Sequence, residues 1–185
     1  MTNAPAPAEP GNRAKAAAGV RFREAAPGDA KALLALKRQL DRETSFMLLE
    51  PDEREETAED IAADLEQLAG SNSVIVVAEN PAGLVGYIDA RGGELRRNRV
   101  TAYIVLGVLA AASGQGAGSG LLREVERWAP AHGIHRLELT VMAHNERAAR
   151  LYERMGFEVE GRRRECLAVD GHLADELYMG KLLPE

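Results

Sequence analysis

The stretch from Val100 to Trp128 constrains this chain more than any other. Nine residues without a charge, Val100 to Val108, run into Ser113-Gly114-Gln115-Gly116-Ala117-Gly118-Ser119-Gly120, where four of eight positions are glycine. Leu121, Leu122, Val125 and Trp128 then recur at helical spacing. A strand, a glycine loop and an amphipathic helix in that order are expected, with the four apolar side chains inward. The length of the uncharged run fits a central strand covered on both faces.

Glycines let successive backbone N–H groups turn toward one point and let a bulky anion approach. The helix that starts near Ala117 adds the positive end of its dipole. A pyrophosphate fits such a place, although the loop alone is equally readable as a plain turn. No lysine follows the glycines, so the loop is not a P-loop. The dinucleotide fingerprint also fails, because the sixth position is Ser119 counted from Gly114 and Leu121 counted from Gly116. Coenzyme A is the remaining common solution.

The rest of the chain reads as a mixed α/β domain. Val20 to Arg23 alternates as a short strand, and Asp29 is placed to cap a helix carrying Leu33, Leu36 and Leu40. A second helix from about Thr57 to Ala69 carries Ile61, Leu65 and Leu68, behind a strongly acidic lead that reads as a solvated face. Val74 to Ala78 and Leu84 to Ala90 flank a turn. Leu137, Leu139 and Val141 alternate as a strand, Asn145 to Met155 forms a short helix stopped by Gly156, and two strands split by Asp170-Gly171 follow. The order β-α-α-β-β-β-α-β-α-β-β is neither a repeating barrel nor a doubly wound fold.

Composition narrows the setting. Hydrophobic residues make up 45% of the 185, enough for a core, and the net charge of -6 argues against a nucleic-acid partner. Met1–Gly19, rich in Ala and Pro, reads as a disordered tail, leaving residues 20–185 as the folded domain. One cysteine, no signal-like apolar run and no membrane-length segment point to the cytoplasm and away from a membrane partner. No His/Cys spacing suggests a metal.

Residues Leu106 to Met155 resemble the two core motifs of the GNAT superfamily of acyl-CoA N-acyltransferases. The first, Gln/Arg-x-x-Gly-x-Gly/Ala, is matched by Ser113 to Gly118, with Ser113 where a long polar side chain is usual. The second, Asn-x-x-Ala-x-x-Leu-Tyr-x-x-x-Gly-Phe, is matched from Asn145 through Tyr152 to Phe157. The resemblance implies a mixed, mostly antiparallel sheet flanked by about four helices and splayed at a cofactor cleft. It implies an enzyme that transfers an acetyl group from acetyl-CoA to a primary amine. The backbone of Ser113, Gly114, Gln115, Gly116, Ala117, Gly118 and Ser119 would hold the diphosphate, and one phosphate contact is in doubt at Ser113. Leu106, Gly107, Val108 and the Asn145 side chain would meet the pantetheine arm. Tyr152 would be the general acid, since a phenol of pKa ~10 can protonate a thiolate of pKa ~8.5 within hydrogen-bond reach. Read singly, Asn145 is a helix cap and Tyr152 a core aromatic.

An amine of pKa ~10.4 is neutral in roughly one molecule per several thousand at pH 7, so a proton acceptor is needed. Ala102-Tyr103-Ile104 offers no carboxylate. A water chain ending on another strand's carboxylate is expected; Glu138 and Glu94 are candidates that also read as structural or solvent-exposed, His135 and His144 flank useful positions but read as surface residues, and no base is assigned. Arg162-Arg163-Arg164, Arg96, Arg97, Arg99 and Cys166 carry no assigned role. The closing segment resembles members acting on amino acids and other small amines, with a protein N-terminus or lysine as the alternative acceptor. A catalytically idle acyl-CoA sensor and a nucleotide-binding module are the rival classes. Apolar strands near the C-terminus allow a homodimer.

Overall fold

The computed structural model describes residues 19 to 184; the expected tail, Gly19 apart, lies outside the described residues. Strand β1 spans Arg21–Glu24, and helices α1 (Ala30–Glu43) and α2 (Ala58–Leu68) follow. Strands β2 (Val74–Asn80), β3 (Gly83–Gly92) and β4 (Thr101–Val108) come next, then α3 (Ala117–Trp128) and β5 (Arg136–Met142). Helix α4 (Glu146–Arg154) and strands β6 (Glu158–Val169) and β7 (His172–Leu182) complete the element order expected from the sequence.

The seven strands form one sheet in the order β1-β2-β3-β4-β5-β7-β6. Every neighbouring pair is antiparallel except β4 and β5, which the α3 crossover makes parallel. Helices α1 and α2 pack Leu33, Leu36, Leu40, Ile61 and Leu65 on one face, against Ile75, Val77 and Tyr87. On the other face Leu121, Leu122 and Val125 of α3 and Tyr152 of α4 join Val76, Ile88, Ile104, Leu139 and Met179. Two apolar layers thus sandwich the sheet, each from a helix whose apolar residues recur at three and four.

Two sequence expectations are corrected, on β4 and at Asp29. Strand β4 is bare on one face at Tyr103, 37% exposed, and Val105, 41% exposed. The α1 and α2 layer sits over β2 and β3 and reaches β4 at Gly107, beneath Leu40, leaving Tyr103 and Val105 uncovered. Trp128 packs against the margin of the α3 layer, partly buried, and its ring stacks on His132 with centroids 4.2 Å apart. Asp29 precedes α1 but makes no side-chain cap. Its carboxylate accepts from the Ala26 N–H and from both Nη atoms of Arg23, at 2.6 and 2.8 Å, and that guanidinium holds its pKa below the usual value. A charged donor outcompetes a neutral helix amide. The working cap is Thr57 on α2, which exchanges hydrogen bonds with Asp60.

The loop between α1 and α2 is anchored by a buried ion pair. Arg54 donates to both carboxylate oxygens of Asp41, at 2.6 and 3.0 Å, and the Asp41 side chain is wholly shielded from solvent. Glu56 ties Arg54 to Lys37. Removing the cation leaves a buried carboxylate alone, which costs about 3–5 kcal/mol. Arg54→Met is therefore expected to lower the urea midpoint by that amount of stability, measured by circular dichroism.

Candidate active site

Strand β4 stays paired with β3 along its length, from Ala102 opposite Gly92 to Val108 opposite Gly86. Its pairing with β5 stops after Tyr103 opposite Glu138. Beyond that point the two parallel strands diverge, and the β5-facing edge of Leu106, Gly107 and Val108 has no strand beside it. Open strand edges carry unmet N–H and C=O groups and accept an extended chain.

Tyr103 stands where the strands part. Its hydroxyl is 2.8 Å from Thr140 Oγ1 and accepts the Thr140 backbone N–H at 3.3 Å. The phenol thus meets a β5 amide that β4 backbone no longer reaches. Sequence reasoning noted Tyr103 only for not being a carboxylate; its bridging role is a tertiary contact.

At the mouth of the wedge lies the glycine loop. Gly114 and Gly116 have φ of +78° and +90°, a region that side-chain-bearing residues rarely adopt. Between them they curl the chain into the first turn of α3, where Gly120 N–H donates to Gly116 O at 2.9 Å. Among the described residues, the N–H groups of residues 114 through 119 make no well-formed hydrogen bond to backbone or side chain. Six consecutive amide donors therefore await a partner beside a helix N-terminus. The side chains add little: Gln115 turns back to Ala111 O at 2.8 Å, and Ser119 Oγ donates to Gly116 O at 3.2 Å. The segment Leu109–Gly120 contains no lysine or arginine.

Helix α4 brings the second motif alongside. Asn145 Oδ1 accepts Ala148 N–H at 3.1 Å, so the capping role read from its sequence context is present. Its amide Nδ2 is left for another partner. Tyr152 is buried, with its ring edge-on to Phe157 at 5.7 Å. Its hydroxyl hydrogen-bonds to nothing among the described residues, yet no buried polar side-chain atom there is left unpartnered. The hydroxyl must therefore border open space. Burial, and secondarily the neighbouring Tyr103, push its pKa well above that of a free phenol. Arg147, five residues before Tyr152 on α4, places its guanidinium beside Gly114.

On the opposite face of the sheet lies a cleft of about 530 Å³. Glu43, Met47, Leu49, Met142, Leu167 and Val169 are among its walls, from the end of α1, the following loop, the end of β5 and the tip of the β6–β7 hairpin. Glu43 accepts the Ala110 N–H at 3.0 Å, which holds its pKa low and joins this wall to the residues leading into the glycine loop. No sequence signal groups these segments, since more than ninety residues separate Glu43, Met47 and Leu49 from Met142, Leu167 and Val169.

The structure separates the remaining candidates. Glu94 and His135 lie at the other end of the sheet from the wedge mouth, in the β3–β4 loop and just before β5. Glu138 is on β5 but is bound by Arg136 at 3.0 Å. His132 is taken by Trp128 and His172 by the carbonyl of Asp170. His144 stands at the mouth, its ring 5.3 Å from that of Phe46. Arg162 and Arg163 pair across the hairpin with Asp175 and Glu176. Among the described residues, no three His, Cys, Asp or Glu side chains gather where they could share a metal.

A mixed sheet that opens between its parallel strands, with an anion nest at the opening, defines the GNAT class of α/β folds. The model of the acetyltransferase (GNAT) family matches residues 36–157, and the chain belongs to that family. A GNAT-family acetyltransferase from Streptococcus pneumoniae is 30% identical, with a TM-score of 0.85 over 89% of this chain and 99% of that one. A ribosomal-protein-alanine N-acetyltransferase from Brucella melitensis is 26% identical, with a TM-score of 0.77 over 88% of this chain and 99% of its own. A phosphinothricin acetyltransferase from Sinorhizobium meliloti, solved with acetyl-CoA, shares the fold at 21% identity, with a TM-score of 0.78 over 90% of each chain. Among curated proteins none matches this sequence.

Because its pKa is raised, Tyr152 stays protonated as pH rises through the range where a free phenol ionises. Phenolate absorbance, titrated to about pH 11, is expected to be the same for wild type and Tyr152→Phe. A lost transition in the variant would show that Tyr152 ionises normally.

Proposed function

We propose that this protein is an acetyl-CoA-dependent N-acetyltransferase that acts on a primary amine, with an amino acid or similar small amine as the acceptor. The observation that carries this reading is the run of six unpartnered amides, residues 114 to 119, at the mouth of the β4–β5 wedge. Those amides and the α3 dipole would hold a diphosphate, and the free edge of Leu106, Gly107 and Val108 would pair with the amide-bearing pantetheine arm. Asn145 Nδ2 would hold the arm from the other side of the wedge.

The amine would enter through the cleft on the opposite face, with its nitrogen attacking the thioester carbonyl carbon. As the new C–N bond forms and the C–S bond breaks, the amine must lose a proton and the thiolate must gain one. Tyr152 is protonated, buried and has a free hydroxyl, so it is assigned as donor to the departing sulfur. Its raised pKa keeps the hydroxyl protonated, and its hydrogen bond to sulfur strengthens as negative charge builds there, a condition met in the transition state and not before. The amine's proton would leave along water to a carboxylate on the cleft side. Direct transfer gains most of its rate by holding the two reactants in line.

No helix among the described residues is long and apolar enough to cross a membrane, and with a single cysteine a cytoplasmic setting suits this activity. Val159, Leu173 and Leu182 on the β6–β7 arm are half or more exposed, and a homodimer would cover them.

Two measurements test this reading. Acetyl-CoA at ~100 times its dissociation constant is expected to stabilise the protein by about 2.7 kcal/mol, read as a rise in Tm, with ATP and NAD giving none. A shift with ATP or NAD alone would make the nest a nucleotide module. Thiol release across a panel of amines is expected to fall about 100-fold in kcat for Tyr152→Phe, with acetyl-CoA affinity little changed. Binding without turnover on any amine would leave an acyl-CoA sensor.

A further inference from the structure

The glycine loop has a chemical deficit that its own sequence does not repair. A diphosphate brings two or more negative charges, the chain carries a net charge of -6, and residues 109 to 120 contain no cation. Ser113, Gln115 and Ser119 present neutral side chains, two of them turned back onto the loop. Among the described residues, the guanidinium that stands beside Gly114 comes from α4. A β-carbon placed on Gly114 would stand 3.4 Å from Arg147 Nη2, so the absent side chain leaves that charged group directly over the loop backbone.

Arg147 is also free to act. Its neighbours on α4 are engaged, since Arg150 donates to Glu146 at 2.8 Å one turn away. Arg147 itself has no ion pair or hydrogen bond among the described residues. It is exposed to solvent, on the side of α4 that faces the loop. A long flexible cation normally finds a carboxylate or points away into water. This one lies against a concave run of amide donors, where among the described residues it makes no hydrogen bond or ion pair.

We infer that Arg147 is the cationic half of the diphosphate site, reaching from α4 to supply the charge that the loop lacks at Ser113. Backbone amides would then fix the position of the diphosphate, while the guanidinium neutralises its charge and closes the nest from the α4 side. A planar guanidinium suits this work, because it can donate two parallel N–H groups to neighbouring phosphate oxygens. The pairing would also couple the motifs: a diphosphate held by Arg147 draws the N-terminal turn of α4, and with it Asn145 and Tyr152, toward α3. This inference rests on the reading that the nest holds a diphosphate.

The test uses Arg147→Gln, Arg147→Lys and, as a control on the same helix, Arg150→Gln. Coenzyme A and 3′-dephospho-coenzyme A are titrated calorimetrically, and acetyl-pantetheine, which lacks the diphosphate, is compared with acetyl-CoA as donor by kcat/KM. Arg147→Gln is expected to weaken both coenzymes by about the same factor, roughly tenfold, and to leave kcat/KM for acetyl-pantetheine unchanged. Arg147→Lys should recover part of the loss, because it restores the charge without the fork. The loss in acetyl-CoA turnover should fall on KM. Arg150→Gln should bind as wild type, with unaltered melting temperatures marking all three variants as folded.

A loss confined to coenzyme A, absent with the dephospho form, would assign Arg147 to the 3′-phosphate and overturn the inference. Equal affinities for wild type and Arg147→Gln would overturn it too, leaving a surface arginine. Failure of wild type itself to bind coenzyme A is a different result: it removes the acetyltransferase reading and this inference with it.

Discussion

Everything at the candidate site depends on β4 and β5 ceasing to pair after Tyr103 and Glu138. A parallel ladder that continued to residue 108 would satisfy both edges and leave nothing for a ligand to join. The structure prevents this in part through one side chain. The Tyr103 hydroxyl takes the Thr140 amide that a further β4 carbonyl would otherwise accept, so the divergence begins with its first lost donor already met. Each strand is held on its far side, β4 by β3 and β5 by β7. The opening is thus a gap between two rigid half-sheets and needs no strained backbone.

The crossover explains why the gap and the nest coincide. Parallel strands must be joined by a connection across the sheet, and α3 is that connection. Its N-terminus therefore sits at the C-terminal end of β4, where the strands are furthest apart. Unmet edge groups, a helix dipole and six amide donors converge there without any charged residue in the loop. The reaction then has two sides available to it. The α3 and α4 face offers the nest and Tyr152, and the opposite face, left bare over Tyr103 and Val105, opens on the cleft behind Glu43 and Met142. An apolar strand exposed at Tyr103 and Val105 looks wasteful as core, but in the proposed reaction that bare side would leave the thioester open to an acceptor.

Much of this could be read from residue order, and the failures have physical causes. Helix and strand succession followed from periodicity and from glycines at Gly70, Gly156 and Gly171, since those signals are local. Strand β4 misled because an uncharged run looks the same whether one or both faces are covered. Asp29 misled because a cap competes with any stronger donor, and Arg23, six residues away, was not visible as one. Glu94 and His135 looked useful beside β4 and β5 in sequence, yet they belong to the end of the sheet remote from the opening. Arg147 was passed over inside a matched motif, because nothing in the order of residues says that α4 leans its second position on a loop thirty residues earlier.

What the amino-acid sequence determined by itself is the set of elements and the capacity of one loop to turn its amides outward, because both arise from interactions within a few residues. Where the sheet parts, which face stays bare, which carboxylates wall the cleft and which cation meets the loop were decided only by the tertiary structure. Those features depend on distances between residues far apart in the chain, and a distance of that kind exists only once the layers have packed.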